Sequence, residues 1–342
     1  MGITVLSLFD GISCGMVALE RAGINVKEYY SSEIDKSAIG ISNKNYPNIK
    51  RLGDINNINI ENIKNMEKID LLLAGSPCQG FSRQGKGLNF EDPRSKLFFK
   101  FVDILNWIKK YNNPNVKFLL ENVHMKKEWE ETITSYLKVK PIDINSKLLS
   151  AQNRPRLYWT NINNIQIPKD KNISLIDILD KDIKLDNPIF HQGIKFDNTT
   201  SENSINLVTN INGEIRIKQG TKLGYIVANN GDGINLSFAL SKSRRGRVIH
   251  GKSSCLDTCC NIHVMHNNSI RRYTLSELEK LQTLPLGYTD GFSDRSRIKA
   301  IGNGWTIDII AHILKNVKDN NKVITIEEQR EEDDNIQFKW CI

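Results

Sequence analysis

The chain has no long apolar run and few cysteines, and these two absences exclude whole classes of protein. No window in its 342 residues approaches the roughly 18 consecutive apolar residues of a membrane-spanning helix. Its six cysteines are too few and too irregularly spaced for the disulfide framework of a small secreted domain. The first residues show neither a basic leader nor a small-residue cleavage site. We therefore predict a cytoplasmic protein with reduced thiols that does not enter a membrane.

The spacing of cysteine and histidine also argues against a metal site. Five such residues cluster late in the sequence: Cys255, Cys259, Cys260, His263 and His266. They contain no pair of CxxC motifs and none of the separations that are typical of zinc sites. We predict that no metal is bound, with zinc at this cluster as the alternative.

Positive charge is in excess over most of the chain. The net charge is +8, and residues 320–342 carry six acids against three bases, so the remainder carries +8 minus −3, or +11. An excess of this size suits a polyanionic partner such as nucleic acid, although many basic proteins bind none.

The hydrophobic pattern predicts an α/β fold with a second, smaller lobe. Over the first 160 or so residues short apolar runs alternate with helical segments, as in βαβ units around a mostly parallel sheet. The predicted strands are residues 4–9, 28–32, 70–74, 118–120 and 157–160, and the predicted helices are residues 15–22, 36–45, 96–109 and 127–137. We predict four parts: a catalytic and cofactor-binding domain (1–162), a mainly β or irregular lobe (163–268), a return to the first domain (269–319) and an acidic tail (320–342).

One short segment in the returning part carries a helix-start signal. Thr274 is followed three residues later by Glu277, the spacing of a capping box. We therefore predict a capped amphipathic helix in residues 274–284 and a further helix in residues 306–317.

The ends of the first three predicted strands suggest an adenosine pocket. The first strand leads into Phe9-Asp10-Gly11-Ile12-Ser13-Cys14-Gly15, at the sheet edge where open α/β folds bind nucleotide-like ligands. The third glycine of the dinucleotide fingerprint is missing, so pyrophosphate is not indicated. Glu33 could accept from ribose hydroxyls and Asp54 from an adenine amino group. The alternative is a glycine turn without a ligand and two solvated acids.

The next strands present a thiol, an acid and two arginines. Cys78 follows the fourth strand and is a candidate nucleophile. Glu121 ends the fifth strand, while Arg154 and Arg156 precede the next one. Residues 80–95, rich in Gly, Arg and Lys, have the composition of a lid that closes over substrate. The alternatives are an incidental cysteine, an ion-paired acid and surface arginines.

Taken in order, these segments resemble the motifs of the cytosine-5 DNA methyltransferases of bacterial or phage type. The matching segments are residues 9–15, Glu33, 53–55, 75–78, 121–123, Gln152-x-Arg154-x-Arg156, 272–275 with 281–285, and 302–305. One such segment would be a weak signal, but an ordered set that spans nearly the whole chain is specific. The resemblance implies a Rossmann-like methyltransferase domain with a smaller, mainly β or irregular target-recognition domain.

The resemblance also implies a cofactor and partners. The cofactor is S-adenosylmethionine, and the partner is double-stranded DNA. The residues implied to bind the cofactor are Phe9, Gly11, Ile12, Ser13, Gly15, Glu33, Ile34, Asp54, Ile55, Pro77, Leu97, Asn303 and Trp305. We further expect a monomer, with a cognate restriction endonuclease as a candidate partner.

The chemistry that the resemblance implies begins with a thiolate attack on carbon 6 of a flipped-out cytosine. Cys78 would be the nucleophile, and Glu121 would protonate or hydrogen-bond ring nitrogen 3 as charge develops there. Arg154 and Arg156 would hold the base oxygen and adjacent phosphates. Because the base must leave the duplex, closure of residues 80–95 would be coupled to flipping.

Two other activities stay open, methylation of tRNA cytosine and a catalytically inactive regulatory role. The RNA-directed branch of the family carries a Cys-Phe-Thr tripeptide, which this chain lacks, and inactive members lack the Pro-Cys pair, which this chain has. Both observations favour an active DNA methyltransferase.

The smaller lobe would contact DNA, and it departs from the family at one position. The basic stretch 242–247 is suited to phosphate contacts, or is a solvated turn. The family usually has threonines where this chain has Cys255-Leu256-Asp257-Thr258. We therefore expect one DNA-contact position to differ from that of its relatives.

Overall fold

The computed structural model describes residues 2–75, 96–181, 207–238, 240–258 and 262–319. Pro77, Cys78, the proposed lid 80–95, Cys259 and Cys260, and the acidic tail 320–342 lie outside the described residues. Within the described ranges no helix has the length and apolar character to cross a membrane.

A seven-stranded sheet forms the centre of the fold, in the order β3-β2-β1-β4-β5-β7-β6. Its strands are β1 (Ile3–Leu8), β2 (Val26–Ser32), β3 (Lys50–Arg51), β4 (Leu71–Gly75), β5 (Lys117–Asn122), β6 (Ile142–Asn145) and β7 (Pro155–Thr160). The first five strands run parallel, and β7 is antiparallel to both β5 and β6. The order reverses between β1 and β4, which is where sheets of this kind bind ligands.

Helices cover both faces of this sheet. They are α1 (Cys14–Arg21), α2 (Lys36–Asn45), α3 (Ile60–Asn65), α4 (Lys96–Tyr111), α5 (Lys127–Leu137), α6 (Leu175–Ile178), α7 (Leu275–Leu281), α8 (Asp294–Asn303) and α9 (Ile307–Asp319). Successive residues of β4 alternate between two cores: Leu71 and Leu73 belong to one, Leu72 and Ala74 to the other. A strand that is buried on both faces needs this continuous apolar sequence, and apolar burial on both sides fixes its place at the centre.

The α/β prediction is confirmed, and most predicted bounds agree with the structure to within two residues. Helices α2 and α5 match their predicted bounds. Strand β6 and helix α8 were not predicted, because each has little apolar pattern. In β6 the buried side chain is Ile144, and in α8 burial is confined to residues 300–302.

Two smaller antiparallel sheets lie between β7 and α7. One has the order β10-β9-β8 and the other β12-β11-β13-β14. Their strands are β8 (Val208–Ile211), β9 (Glu214–Lys218), β10 (Tyr225–Val227), β11 (Gly233–Asn235), β12 (Val248–Ile249), β13 (Ile262–His266) and β14 (Ser269–Arg272). They share a core of their own, which includes Ile217 and Ile234. Because β14 pairs with β13, this sheet extends to Arg272, beyond the predicted boundary at residue 268.

A buried ion pair joins the smaller sheets to α7. The Arg271 Nη2 to Glu277 Oε1 distance is 2.7 Å, the Nη1 to Oε2 distance is 2.8 Å, and the two side chains are 4% and 0% exposed. Glu277 also completes the predicted capping box with Thr274, which the structure confirms. One carboxylate therefore caps a helix and neutralises an arginine from another element.

Glu277→Ala is expected to lower the free energy of unfolding by about 3 to 5 kcal/mol, because Arg271 would stay buried without its counter-charge. Urea denaturation measures this change. The control is Lys64→Ala, which breaks an exposed ion pair with Glu61 and should cost less than about 1 kcal/mol. Equal effects of the two substitutions would show that the buried pair has no special role.

Candidate active site

The site lies where the parallel strands end. Strands β1, β2, β4 and β5 end at Leu8, Ser32, Gly75 and Asn122 respectively. The register pairs Gly75 with Glu121, so the segment that follows β4 begins beside the carboxylate on β5. Side chains that are far apart in sequence therefore meet along one edge of the sheet.

The turn after β1 has an unusual backbone. Phe9, Gly11 and Ser13 have φ values of 57°, 58° and 59°. These values lie in the left-handed region, which residues other than glycine seldom adopt. The hydroxyl of Ser13 donates to Asp10 Oδ2 over 2.6 Å and forms a second hydrogen bond with Ser42 Oγ. Hydrogen bonding thus holds Ser13 in a conformation for which a glycine would otherwise be expected.

Asp10 is a structural centre that the sequence pattern did not reveal. Its buried carboxylate accepts from Tyr29 Oη at 2.7 Å and from Ser31 Oγ at 2.8 Å, in addition to Ser13, and Arg51 Nη1 lies 3.8 Å away. A signal was present, since an acid follows an apolar strand while the next strand carries hydroxyl groups. By charge-assisted hydrogen bonds, the carboxylate fixes the turn after β1 to the neighbouring strand β2.

Glu33 connects the turn to the end of β2. Its Oε2 accepts from the Gly11 amide at 2.8 Å, and its Oε1 accepts from the amides of Ile34 and Asp35, each at 2.8 Å. The Ile34 side chain beside it is 70% exposed. A carboxylate and an apolar side chain therefore stand together at the edge of the sheet, the pair of groups that a ribose and a base would need.

Asp54 lies in the segment after β3, three residues beyond the end of that strand at Arg51. It caps a short 3₁₀ turn over Ile55–Asn57 and accepts from the Asn56 amide at 2.9 Å. The carboxylate is partly exposed, so its remaining acceptor positions are open.

Glu121 lies between an ion-pair partner and a hydrogen-bond donor from different parts of the chain. Arg156 Nε lies 2.8 Å from its Oε1, and Trp305 Nε1 donates to its Oε2 over 3.2 Å. The Trp305 ring packs against Gly75, where an added Cβ would come within 2.8 Å of the indole nitrogen. Trp305, two residues beyond α8, thus reaches both the carboxylate and the end of β4.

Arg154 is engaged by the protein itself. It is 5% exposed, and its guanidinium donates to the carbonyls of Leu256, Gly302 and Gly304 over 3.3, 3.3 and 2.9 Å. A further contact, at 3.4 Å, goes to Cys255 Sγ. Any contact with a substrate would have to displace these acceptors, which the sequence pattern did not indicate.

The other predicted residues are placed as follows. Gly15 opens α1 against Tyr29 and Leu73, Leu97 is in the first turn of α4, and Asn303 ends α8. The side chains of Ile12 and Ile55 are buried in the core, so these two residues present only their backbone to a ligand.

The cysteines and histidines that were considered as metal ligands make other contacts where the structure describes them. The described ranges contain no group of three or more His, Cys, Asp or Glu that could hold a metal ion. His266 Nδ1 accepts from Arg271 Nε at 3.3 Å, and Cys255 contacts arginines.

Comparisons with known proteins give a consistent result. The family described as "C-5 cytosine-specific DNA methylase" matches residues 3–319. The chain is 29% identical to the Type II methyltransferase M.HpaII of Haemophilus parainfluenzae, covering 90% of this chain and 87% of that protein. It is 27% identical to the Type II methyltransferase M.HhaI of Haemophilus parahaemolyticus, covering 92% and 94%.

A solved structure supports the fold. The Entamoeba histolytica methyltransferase EhMeth superposes with a TM-score of 0.64 at 20% identity, covering 94% of this chain and 99% of that one. Proteins of the matching family use S-adenosylmethionine as methyl donor.

Glu33→Ala and Asp54→Ala are each expected to weaken S-adenosylmethionine binding by about 1 to 3 kcal/mol, because each removes a hydrogen-bond acceptor for the adenosine half. Calorimetric titration measures the decrease in affinity, and the exposed acid Glu128 provides a control as Glu128→Ala. Unchanged affinity in both site variants would place the pocket elsewhere.

Proposed function

The chain belongs to the C-5 cytosine-specific DNA methylase family, and from this we propose that it methylates cytosine in double-stranded DNA through a covalent bond to Cys78. Transfer from S-adenosylmethionine to carbon 5 of cytosine is the activity of the family. The choice of DNA, the role of Cys78 and the roles of the other site residues are our proposals.

The observation that carries the proposal is the burial of the Glu121 carboxylate and its contacts with Arg156 and Trp305. The carboxylate is largely buried, bound on one side by Arg156 and on the other by Trp305, and its backbone pairs with Gly75. Cys78 follows Gly75 by three residues, although it lies outside the described residues. A thiol delivered there would come close to a fixed acid, as addition to a pyrimidine ring requires.

The proposed reaction has four steps. The Cys78 thiolate adds to carbon 6, while Glu121 supplies a proton or hydrogen bond to ring nitrogen 3, so that the electron pair collects at carbon 5. S-adenosylmethionine, when bound, offers an electrophilic methyl group, which the electron pair of carbon 5 takes. A base then removes the proton from carbon 5, and ring nitrogen 3 returns to Glu121 any proton that it received. The electron pair from carbon 5 expels the thiolate and restores the aromatic ring.

The remaining residues hold or orient these groups. Glu33, Ile34 and Asp54 fit the adenosine half, since they provide acceptors beside an exposed apolar side chain. Arg156 holds Glu121. We assign Arg154 a positioning role, because its donors are taken up by carbonyls near the end of α8.

Duplex DNA is favoured as substrate over tRNA on two grounds. The relatives M.HpaII and M.HhaI are Type II methyltransferases, and the tripeptide of the RNA-directed branch is absent from the sequence. We propose residues 163–268, together with β14, as the region that reads the DNA sequence.

Within this region the basic stretch divides into two kinds of arginine. Arg244 lies over the Phe238 ring, 5.0 Å from its centroid, and Arg245 donates to the Gly220 carbonyl over 2.9 Å. Arg247 is 0% exposed and donates to the carbonyls of Ser237 and Phe238, each over 2.8 Å. The prediction that Arg247 contacts phosphate is therefore wrong, because its guanidinium is enclosed by backbone oxygens.

Neutralising Arg244 and Arg245 together should weaken binding to all DNA sequences and lower the slope of log affinity against log salt by about 2, because each side chain would neutralise one phosphate. Fluorescence anisotropy across a salt series measures both quantities. Arg247→Met serves as the contrast: it should destabilise folding and leave the salt slope unchanged. A double variant with an unchanged slope would exclude phosphate binding by these residues.

Duplex DNA with 5-fluorocytosine at the target position should trap the enzyme, since fluorine cannot leave carbon 5 as a cation. With S-adenosylmethionine present, a covalent adduct is expected on denaturing electrophoresis. Cys78→Ala should form none, and Glu121→Gln should form it slowly, because attack would proceed without an efficient proton donor.

The same experiment separates the competing activities. A tRNA with the same substitution is the matched substrate control, and trapping on it alone would show RNA to be the substrate. Methylation of DNA by Cys78→Ala would exclude covalent catalysis by Cys78.

A further inference from the structure

Cys255 is placed beside Arg154 by a short stretch of parallel pairing. Gln152 and Ser253 form a parallel bridge, with the Ser253 amide donating to the Ala151 carbonyl over 2.7 Å. Because the pairing is parallel, Arg154, two residues after Gln152, lies beside Cys255, two residues after Ser253. The backbone therefore fixes this pair before any side-chain attraction is considered.

The sulphur of Cys255 contacts two guanidinium groups. Arg154 Nη1 lies 3.4 Å from Sγ, and Arg156 Nη2 lies 3.5 Å from it. A neutral thiol is a weak hydrogen-bond acceptor, whereas a thiolate between two cations forms charge-assisted contacts. Burial alone would raise the pKa of the Cys255 thiol, but Arg154 and Arg156 outweigh burial and hold the pKa below its ordinary value.

Arg156 is shared between this sulphur and the acid of the site. Its Nε lies 2.8 Å from Glu121 Oε1 in an ion pair, its Nη1 donates to the Pro155 carbonyl over 2.9 Å, and its Nη2 faces Cys255. The planar guanidinium has its donors in a fixed geometry, so a contact that orients one edge also orients the other. Other titratable groups also lie close to this cluster. Burial raises the pKa of Tyr158, which lies beside Arg156 and Glu121, Asp143 interacts with Tyr158, and Cys14 interacts with Arg154.

We propose that Cys255 is a positioning residue for methyl transfer, whose sulphur holds Arg156 in the orientation in which Arg156 binds Glu121. This role rests on the proposed function of Glu121. It gives a use to the cysteine that stands where the family usually has threonine, and a thiolate would strengthen the contact with Arg156.

The kinetic test compares wild type with Cys255→Ser and Cys255→Thr on duplex DNA. Both replacements keep a hydrogen-bonding atom but lack the acidity of the thiol. We expect kcat to fall by about 10- to 100-fold, the scale of a misoriented catalytic group, with KM for S-adenosylmethionine unchanged. A kcat equal to that of wild type in both variants would overturn the proposal.

A second test needs no activity, so it stays informative even if the proposed substrate is wrong. Because the folded pKa of Cys255 is lowered, its stabilising effect is complete above the ordinary pKa of 9.0 and is lost as pH falls through the folded value. The difference in denaturation midpoint between wild type and Cys255→Ser should therefore grow as pH rises from about 6 to about 9.

Cys14 provides the matched control for this second test. Burial raises the pKa of its thiol to about 12, so the stabilising effect of a neutral Cys14 is present below 9.0 and declines at higher pH. The difference between wild type and Cys14→Ser should stay level over the same range and shrink only above it. If Cys255→Ser behaves like Cys14→Ser, the sulphur is a neutral packing group and the proposal fails.

Discussion

The contact between Glu121 and Arg156 is the interaction on which the rest of the site depends. It joins β5 to β7, the point at which the sheet changes from parallel to antiparallel pairing. A carboxylate removed from water needs a counter-charge and further donors, or its burial would cost several kcal/mol. Arg156 supplies the charge and Trp305 supplies the second donor. The acid can therefore be both buried and fixed beside the segment that follows β4.

This requirement explains why the chain returns to the first domain after the smaller sheets. Trp305 lies 184 positions beyond Glu121, and it reaches the carboxylate because α8 and α9 pack back against the main core. Arg154 secures that return by donating to the carbonyls of Gly302 and Gly304. The smaller lobe is thus an insertion, and the site is complete only when the residues on both sides of it come together.

The acids at the strand ends can be predicted from the local sequence pattern, but the contacts between residues far apart in sequence cannot. Glu33 and Glu121 could be placed in advance because each lies at the end of a strand with buried residues, and parallel strands end at one edge. The contacts of Asp10 had only an indirect signal, since they depend on which hydroxyl groups the neighbouring strand presents to it. The contact between Trp305 and Glu121 leaves no periodic signal at all. Contacts between residues far apart in sequence depend on how the elements pack, whereas the end of a strand can be predicted from the local residue pattern.

The accessibility of charged side chains is likewise not given by sequence pattern, and this bears on the proposed binding of DNA. A net charge of +8 counts every arginine alike, yet Arg154, Arg247 and Arg271 are nearly inaccessible. Arg247 directs its charge at backbone carbonyls, and Arg271 is neutralised by Glu277. A guanidinium that is enclosed in this way stabilises a loop or a helix end and releases no counterion from DNA. The field that attracts a phosphate backbone must therefore come from the exposed basic side chains, and sequence position alone does not distinguish them from their buried neighbours.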